Sequence, residues 1–436
     1  MGVYSTYDIR GLYPAEINEE LAYKVGRAFV TFLECKKVVV GRDGRTSSPS
    51  LQKALMQGII DQGADVFDIG LTATPLMNFA AKDYDAGIMI SASHNPGQYN
   101  AFKLVKRPVL QMHTKELQII LDLAEKNEFV DAEITGNIIE LNPINEYAEH
   151  VLKKCDFSGL KVVVDYGNGV GSVIAKPVFD KLDIEVISLY EEIDGTFPNH
   201  PANPHDIENL VDLQKAVKEN DADLGIFFDG DADRSQLVDE TGEILMPDIL
   251  LALLVPEELG RFPGSNVYYD LRFSKIVKDV ILENGGNPYM LKVGNPFFKE
   301  KMLTGGCLAG ELSGHIMFKD HFSIDDGLYA AVKLMNLLSK CEWCLSELVQ
   351  PLKRYFSTPE INLKVDNADE VLKIVEGNFL PGKHLILDGV HVTFSDWWFS
   401  LRKSNNEPLV RLRLEADTKE LMNQKKDEIL KIINSN

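Results

Sequence analysis

The sequence predicts an α/β fold with three related mixed α/β domains and a smaller C-terminal α+β domain. Short apolar strands alternate with stretches of helical periodicity, which is typical of sheets covered by helices. The same order of elements occurs three times, and each repeat runs into an unusual polar loop. A chain of 436 residues is also too long for one hydrophobic core, so several domains are expected.

The first repeat places apolar strands at residues 37–40, 65–69 and 86–90, with helices near 51–60 and from Pro75. The second repeat places strands at 161–164, 184–189 and 224–228. Its first helix follows a glycine-rich turn at 167–169 and ends near Leu182, and its second carries apolar residues at Ile207, Leu210, Val211 and Val217. The third repeat places strands at 267–269, 288–291 and 307–309, with helices near 276–282 and 297–302.

A polar loop follows the third strand of each repeat: SASHNP at 91–96, DGDADR at 229–234 and GELSGH at 310–315. Ligands of open α/β sheets bind beyond the carboxyl ends of the strands. One such loop would be an ordinary turn rich in Gly, Asn and Pro. Three loops at equivalent positions favour a central cleft that the domains share.

The last part of the chain has a different pattern. Alternating apolar residues at 390–393 and 410–414 predict an antiparallel sheet with one polar face. A terminal helix follows, with apolar residues on one side at Leu421, Met422, Ile429, Ile432 and Ile433. With a linker near 351–356, we expect domains at 1–150, 151–250, 251–355 and 356–436.

Composition excludes several classes of protein. A net charge of −21 argues against a nucleic-acid-binding surface. The longest apolar runs, such as 249–255, are too short to span a bilayer, and the first eleven residues lack the regions of a secretory signal. Myristoylation at Gly2 is a weak alternative. Together with five sparse cysteines, these features predict a cytoplasmic protein.

The pair Cys341 and Cys344 has the CxxC spacing of many zinc sites. No second pair of cysteines or histidines completes such a site. The pair also lies in a stretch that we predict to be helical. Packing is therefore the expected role of these cysteines.

The DGDADR loop predicts a metal site. Asp229, Asp231 and Asp233 would repel one another after a buried strand unless a cation neutralised them, and carboxylate oxygens suit Mg²⁺ or Ca²⁺. A solvated acidic turn is the alternative. An EF-hand is excluded, although Glu240 falls at its last ligand position, because Arg234 stands where its sharp turn needs glycine.

The other loops supply hydroxyls, imidazoles and a cation. Ser93 and His94 are adjacent, which does not suit a relayed nucleophile–base pair, and no GxSxG elbow is present. A serine beside a metal could instead carry a phosphoryl group. GELSGH offers groups for a polyol, and the segment 402–408, RKSNNEP, suits a phosphate or is a solvated basic turn.

Taken together, these motifs resemble the α-D-phosphohexomutase family, in particular its phosphomannomutase/phosphoglucomutase branch. YDIRG at 7–11 and GRDGR at 41–45 resemble its N-terminal signatures. SASHNP resembles its phosphoserine loop, DGDADR its metal loop and GELSGH its sugar loop, while RKSNNEP resembles its C-terminal phosphate loop. The resemblance covers the whole chain and implies four domains around one cleft.

The resemblance implies a phosphohexomutase that acts on mannose and/or glucose phosphates. Its reaction would pass through a hexose 1,6-bisphosphate, which also serves as activator. The implied roles are a phosphorylated Ser93 that also faces the metal, Mg²⁺ ligands Asp229, Asp231 and Asp233, and cations Arg10, Lys103 and Arg234 near the transferring phosphate. The implied substrate ligands are Glu311, Ser313 and His315 for the sugar and Arg402, Ser404, Asn405 and Asn406 for the distal phosphate.

Three departures from the family pattern bear on the mechanism. Ser5-Thr6 replaces a Phe-Arg pair before YDIRG, which removes one phosphate contact. Arg272 stands where some members carry a lysine proposed as general acid/base, and arginine is a poor proton donor. Asn295 stands where histidine is common. The general acid/base therefore has no assigned residue.

Two alternative functions remain at this stage. A phosphoglucosamine mutase is one, although that branch typically has Gln where GELSGH has Leu312. A phosphosugar-binding paralogue without turnover is the other, and it depends on the substitutions at Arg272 and Asn295. The preference between mannose and glucose, the resting phosphorylation of Ser93 and the oligomeric state have no signature in the sequence.

Overall fold

The structure is a computed structural model, and it describes residues 7–204, 206–403 and 409–435. Within these residues the strands form four sheets. Two groups of residues named above lie outside the described residues. They are the departure at Ser5 and Thr6, and the expected phosphate ligands Ser404, Asn405 and Asn406. No helix in the described ranges has the length and apolar character needed to cross a membrane.

The first sheet has the strand order β1-β5-β4-β2-β3-β7, with β6 paired to β5. Strand β2 runs parallel to β3 and β4, and β5 runs antiparallel to β4 and β1. The elements are β1 (Ile9–Leu12), α1 (Glu19–Leu33), β2 (Lys37–Arg42), α2 (Ser48–Asp61), β3 (Asp65–Leu71), α3 (Thr74–Ala81), β4 (Ala86–Ile90), β5 (Tyr99–Lys106), β6 (Leu110–Gln111), α4 (Lys115–Lys126) and β7 (Ile138–Glu140).

The second sheet has the order β12-β11-β10-β8-β9. Its elements are α5 (Ile144–Leu152), β8 (Lys161–Asp165), α6 (Gly171–Phe179), β9 (Glu185–Leu189), α7 (Val211–Glu219), β10 (Leu224–Phe228), β11 (Ser235–Asp239) and β12 (Ile244–Leu245). The helix predicted from Ile207 begins as a 3₁₀ turn, Ile207–Leu210, before α7. Ile207 and Val211 are exposed, so only part of the predicted apolar face is buried.

The third sheet has the order β14-β13-β15-β16. Its elements are α8 (Pro247–Arg261), β13 (Asn266–Asp270), α9 (Lys275–Glu283), β14 (Asn287–Leu291), α10 (Asn295–Met302), β15 (Gly306–Gly310), β16 (Ile316–Phe318), α11 (Gly327–Ser339) and α12 (Leu345–Val349). The helix predicted across Cys341 and Cys344 is wrong. These residues form the turn between α11 and α12, because Cys344 is the N-cap of α12.

The fourth sheet is antiparallel, with the order β17-β22-β21-β20-β19 and β18 paired to β22. Its elements are β17 (Phe356–Ser357), β18 (Ile361–Lys364), α13 (Ala368–Asn378), β19 (Lys383–Leu385), β20 (Val390–Thr393), β21 (Trp397–Lys403), β22 (Leu409–Ala416) and α14 (Lys419–Asn434). Helix α14 buries Ile429 and Ile433 against it, as the apolar periodicity predicts.

The repeat predicted from the sequence is confirmed, and the structure adds one feature to it. In each of the first three sheets the strand before the polar loop (β4, β10 or β15) is parallel to its neighbour on one side. On the other side it pairs antiparallel with the strand after the loop (β5, β11 or β16). Each polar loop is therefore the short connection of an antiparallel pair inside a mixed sheet.

Helix α3 joins the core of the first sheet to those of the next two. Its eight residues are all buried, and Phe79 packs against Tyr147, His150 and Phe322. One continuous hydrophobic cluster therefore runs from α3 into the second and third sheets. The fourth sheet has its own separate cluster.

Candidate active site

The three aspartates of the DGDADR loop converge at the end of β10. Asp229 and Asp231 are fully buried, Asp233 is 3% exposed, and one carboxylate oxygen from each lies within 4.8 Å of the others. Ala232 has a φ of 59°, and this left-handed turn lets the alternate side chains face one point. Strand β10 is buried throughout, so the loop sits on a rigid support.

Two cations partly neutralise this cluster. Lys103 Nζ lies 2.5 Å from Asp231 Oδ2 and 2.8 Å from Asp233 Oδ2, and Arg234 Nη2 lies 2.7 Å from Asp229 Oδ2. Burial opposes the charge on Lys103, but the two aspartates outweigh it and raise its pKa. Burial also raises the pKa of Asp229 to about 6. Three carboxylates against two cations leave one negative charge.

Ser93 points its hydroxyl into the same cluster. Its Oγ donates to Asp229 Oδ2 at 2.8 Å and accepts from Arg234 Nη2 at 2.8 Å. A φ of 51° at Ser93 turns the side chain out of the line of β4, and its backbone N–H donates to Ser91 Oγ. The residue is 5% exposed.

His94 does not act as a base for this serine. Its Nδ1 lies 2.7 Å from Arg234 Nη2 and 3.3 Å from Ser93 Oγ. Because a guanidinium only donates hydrogen bonds, Nδ1 is the acceptor of that bond. The hydroxyl proton of Ser93 is directed at Asp229, so His94 is not its hydrogen-bond acceptor.

Two arginines hold the serine loop in place. Arg10 Nη1 donates to Asn95 Oδ1 at 2.5 Å and to Ala92 O at 3.2 Å. Arg45, whose side chain is fully buried, donates to the carbonyl oxygens of four loop residues at 2.6–3.1 Å, namely Ser93, Asn95, Pro96 and Tyr99.

Sequence reasoning gave Arg45 no role, although it belongs to the GRDGR signature. Its guanidinium also pairs with Asp43 at 2.9 Å and lies over the ring of Phe197 at 5.1 Å. The signal was therefore present in the motif. The contacts of Arg45 with the serine loop form only in the folded chain, where the loop after β4 meets the residues after β2.

The sugar-loop residues lie between β15 and β16. Glu311 Oε1 accepts from Gly294 N at 2.9 Å, whereas Oε2 is buried and accepts no hydrogen bond from any described residue. Burial raises the pKa of Glu311 to about 7. Arg234 Nη1 lies 3.5 Å from the carbonyl oxygen of Ser313, which joins this loop to the metal loop.

His315 is placed between the metal loop and Asp325. Its Nδ1 is 3.1 Å from Asp325 Oδ2 and 3.9 Å from Asp233 Oδ1. Burial lowers the pKa of His315, but the two aspartates outweigh it and raise the pKa. Asp325, which the sequence did not single out, also binds Lys299 at 2.5 Å and Asn295 Nδ2 at 2.7 Å.

Arg402 approaches the cleft from β21, in the fourth sheet. Its Nη2 lies 3.2 Å from Glu360 Oε2, and its Nε is buried without a hydrogen bond among the described residues. Tyr7 lies near both Arg402 and the sugar loop. Burial raises the pKa of Tyr7, the charge of Glu311 raises it further, and the charge of Arg402 lowers it. Among the described site residues, Ser93, Lys103, Arg234 and His315 lie around the three aspartates, and Arg10 holds the serine loop. Arg402 contacts Glu360 and not this cluster.

The two substitutions flagged in the sequence have defined contacts. Arg272 forms a bidentate ion pair with Asp270, which outweighs burial and raises the pKa of the arginine. It therefore stays a cation. Asn295 donates to Asp325 and cannot titrate. Neither residue can therefore serve as the general acid/base.

The aspartate cluster fits a divalent cation. Asp231 Oδ1 and Asp233 Oδ1 are buried and accept no hydrogen bond from the described part of the chain. A buried carboxylate oxygen without a partner is costly unless a cation meets it. An all-oxygen set with one unbalanced negative charge suits a hard divalent cation.

Family models match four consecutive segments of the chain. They are described as phosphoglucomutase/phosphomannomutase alpha/beta/alpha domain I at residues 2–131, domain II at 145–242, domain III at 246–355 and the C-terminal domain at 360–432.

Individual relatives match over nearly the whole length. A phosphoglucomutase from Neisseria meningitidis is 36% identical across 100% of this chain and 97% of its own. A phosphomannomutase/phosphoglucomutase from Pseudomonas aeruginosa is 38% identical across 96% and 92%. The crystal structure of a phosphoglucomutase/phosphomannomutase family protein from Burkholderia thailandensis matches with a TM-score of 0.93 at 33% identity, covering 99% and 97% of the two chains.

Proposed function

The chain belongs to the phosphoglucomutase/phosphomannomutase family and is an isomerase that transfers a phosphoryl group on hexose phosphates, and we propose that Ser93 carries that group. The observation that carries this proposal is the position of Ser93 Oγ, 2.8 Å from Asp229 in the buried carboxylate cluster. This serine hydroxyl also accepts from a guanidinium, Arg234, which would offset charge on a phosphate attached there.

We propose that Asp229, Asp231 and Asp233 hold Mg²⁺, together with an oxygen on Ser93. Bound there, the ion would neutralise negative charge on the transferring phosphate. Lys103, Arg234 and Arg10 add positive charge around the same point. Such fixed charges stabilise the charge that develops in phosphoryl transfer.

We propose that the substrate spans the cleft. Glu311, Ser313 and His315 would hold sugar hydroxyls, and Arg402 with Ser404, Asn405 and Asn406 would bind the phosphate that does not react. Support for this is the Oε2 of Glu311 and the Nε of Arg402, both buried and both without a hydrogen-bond partner among the described residues. Binding energy far from the reacting atoms keeps the reactive end in position.

In the proposed cycle, Ser93 gives its phosphoryl group to the free hydroxyl of a hexose phosphate. The product is a hexose 1,6-bisphosphate, which turns over in the cleft and returns its other phosphoryl group to Ser93. The same bisphosphate would serve as activator by phosphorylating the resting enzyme. The substrates would be mannose and/or glucose phosphates, as the names of the relatives indicate for those proteins.

We propose four functional units with the boundaries 1–150, 151–250, 251–355 and 356–436, which contribute the serine, metal, sugar and distal-phosphate loops in turn. We also place the enzyme in the cytoplasm, since its five cysteines are unpaired, as expected in a reducing compartment. The phosphoglucosamine mutase and the non-catalytic paralogue are not favoured, because the relatives are named as phosphoglucomutases and phosphomannomutases.

Turnover tests this function. Purified protein with Mg²⁺ and glucose 1,6-bisphosphate should convert mannose 1-phosphate and/or glucose 1-phosphate to the 6-phosphate, and glucosamine 1-phosphate more slowly. A preference for glucosamine 1-phosphate would favour the first alternative. Tight binding of these sugars without any turnover would favour the second.

A further inference from the structure

Glu360 is the shared partner of three arginines from two domains. It lies between β17 and β18, just after the third domain ends. Its Oε2 is 3.2 Å from Arg402 Nη2 and 3.6 Å from Arg272 Nη1, and its Oε1 is 3.2 Å from Arg411 Nη1. Arg402 and Arg411 belong to the fourth sheet, whereas Arg272 follows β13 in the third.

The contact continues from Arg272 to the sugar loop. Arg272 Nε donates to Asp270 Oδ1 at 2.9 Å, and Asp270 Oδ2 accepts from the backbone N–H of Leu312 at 3.1 Å. Asp270 is fully buried and Arg272 is 8% exposed. One chain of ion pairs and hydrogen bonds therefore joins the GELSGH loop to Arg402.

Glu360 fixes Arg402 without using all of its donors. The carboxylate contacts Nη2, whereas Nε–H has no hydrogen-bond partner within the described ranges, and Arg402 is 6% exposed. A buried guanidinium edge with an unmet donor is suited to a planar array of anionic oxygens such as a phosphate monoester. The carboxylate of Glu360 holds the Nη2 group of Arg402, while the Nε–H of Arg402 stays available to a ligand.

We propose that Glu360 and Arg272 are positioning residues that couple the grip of Arg402 on the distal phosphate to the sugar loop. This inference rests on the proposed role of Arg402 as a phosphate ligand. The ligand class is a hexose phosphate monoester, whose phosphate and sugar hydroxyls must be held at one fixed separation. The ion-pair chain through Asp270, Arg272 and Glu360 sets that separation across the boundary between two domains.

The arginine at position 272 suits this role. Its guanidinium holds Asp270 with Nε and Nη2 while Nη1 faces Glu360. A lysine ammonium is a flexible point charge and would not fix two carboxylates on separate edges at once. The role also accounts for a side chain at this position that does not transfer protons.

Two single variants and their double mutant test the proposal. Glu360→Gln keeps the shape of the side chain and removes its charge. Arg272→Lys keeps the positive charge and removes the planar guanidinium that contacts Asp270 and Glu360. Each should raise KM for the hexose phosphate about tenfold with a smaller change in kcat, and the double mutant should be no worse than the more severe single variant. Glu283→Gln, which breaks an exposed pair with Arg354, is the matched control and should leave KM unchanged.

An unchanged KM in Glu360→Gln, or in Arg272→Lys, would overturn the proposal, as would effects that multiply in the double mutant. Thermal unfolding of each variant identifies any that fail to fold, and Arg272→Lys decides the matter if Glu360→Gln is one of them. Arg402→Gln tests the proposed phosphate site separately from the coupling. If Arg402→Gln leaves KM unchanged, the proposed phosphate site is wrong; if it raises KM while Glu360→Gln does not, only the coupling fails.

Discussion

At the scale of single residues, the reactivity assigned to Ser93 comes from its neighbours. A serine hydroxyl is a weak nucleophile by itself. Here it lies between a buried carboxylate and a guanidinium, each 2.8 Å away. Its geometry depends in turn on Arg45, which binds four carbonyl oxygens of the same loop.

Arg45→Lys should lower kcat about 100-fold with little change in KM, because a misplacement of the serine by about 1 Å is enough for such a loss. A single ammonium cannot replace the donors that hold the loop. Steady-state kinetics with a hexose phosphate and saturating bisphosphate measure the split between kcat and KM.

Arg42→Lys is the control for this change. Arg42 is the last residue of β2, three positions before Arg45, is half-buried, and makes a contact at 3.2 Å with the carbonyl oxygen of Asp43. It should leave kcat within a few-fold of the parent. A full-rate Arg45→Lys enzyme would mean that the loop keeps its shape without the guanidinium.

Glu311 should make the free energy of unfolding depend on pH. Burial raises its pKa from 4.5 to about 7, so the folded protein keeps this proton over a range where the unfolded chain releases it. The stabilisation is therefore complete below pH 4.5 and is lost as pH rises to about 7. Relative to Glu311→Gln, the parent should lose about 3 kcal/mol across this window.

Urea unfolding at pH 4.5 and pH 8 measures this difference. Glu342→Gln, at an exposed position, is the control and should follow the parent at both values. Parallel pH profiles for the parent and Glu311→Gln would show that Glu311 does not hold its proton in the folded state.

At the scale of elements, three equivalent hairpins carry the polar loops of the candidate site. The sequence predicted the strands before each polar loop (β4, β10 and β15) because they are short, apolar and bounded by turn residues. It did not predict the returning strands. Strand β5 is buried on both faces, so Tyr99–Lys106 has no clear alternation that would mark it as a strand.

The metal loop should bind Mg²⁺ through its three aspartates and be stabilised by it. At a Mg²⁺ concentration about 100 times Kd, the parent should gain about 2.7 kcal/mol, seen as a rise in Tm. Asp231→Asn should abolish most of this gain, because it removes a ligand and the charge of a carboxylate whose Oδ1 has no hydrogen-bond partner in the described part of the chain.

The exposed Asp369→Asn is the matched control, and its Tm should respond to Mg²⁺ as the parent does. A parent enzyme whose Tm does not change with Mg²⁺ would contradict the metal site. An equal rise in the parent and Asp231→Asn would place the ion elsewhere.

At the scale of the whole molecule, the site exists only because the domains meet. Ser93 and Asp229 are 136 positions apart and touch through one hydrogen bond. The motifs in their order allowed the family and the site residues to be predicted. Glu360 had no such signal, because its arginine partners lie at positions 272, 402 and 411 and come together only in the folded chain.

The packing differs between the two ends of the molecule. Helix α3 joins the first sheet to the large apolar cluster of the second and third. The fourth sheet keeps its own core and contacts the third domain through polar groups such as Arg413 and Asp248, 3.3 Å apart. Its contacts with the third domain therefore include buried ion pairs, which explains why Glu360 is an effective place to couple the two.

Intact-mass measurement shows whether Ser93 carries the phosphoryl group. After incubation with Mg²⁺ and glucose 1,6-bisphosphate, the parent should gain the mass of one phosphoryl group, and a hexose monophosphate should then discharge it. Ser93→Ala should gain none and should lose turnover. Turnover by Ser93→Ala at the parent's rate, or the same mass gain in that variant, would mean that Ser93 does not carry the phosphoryl group.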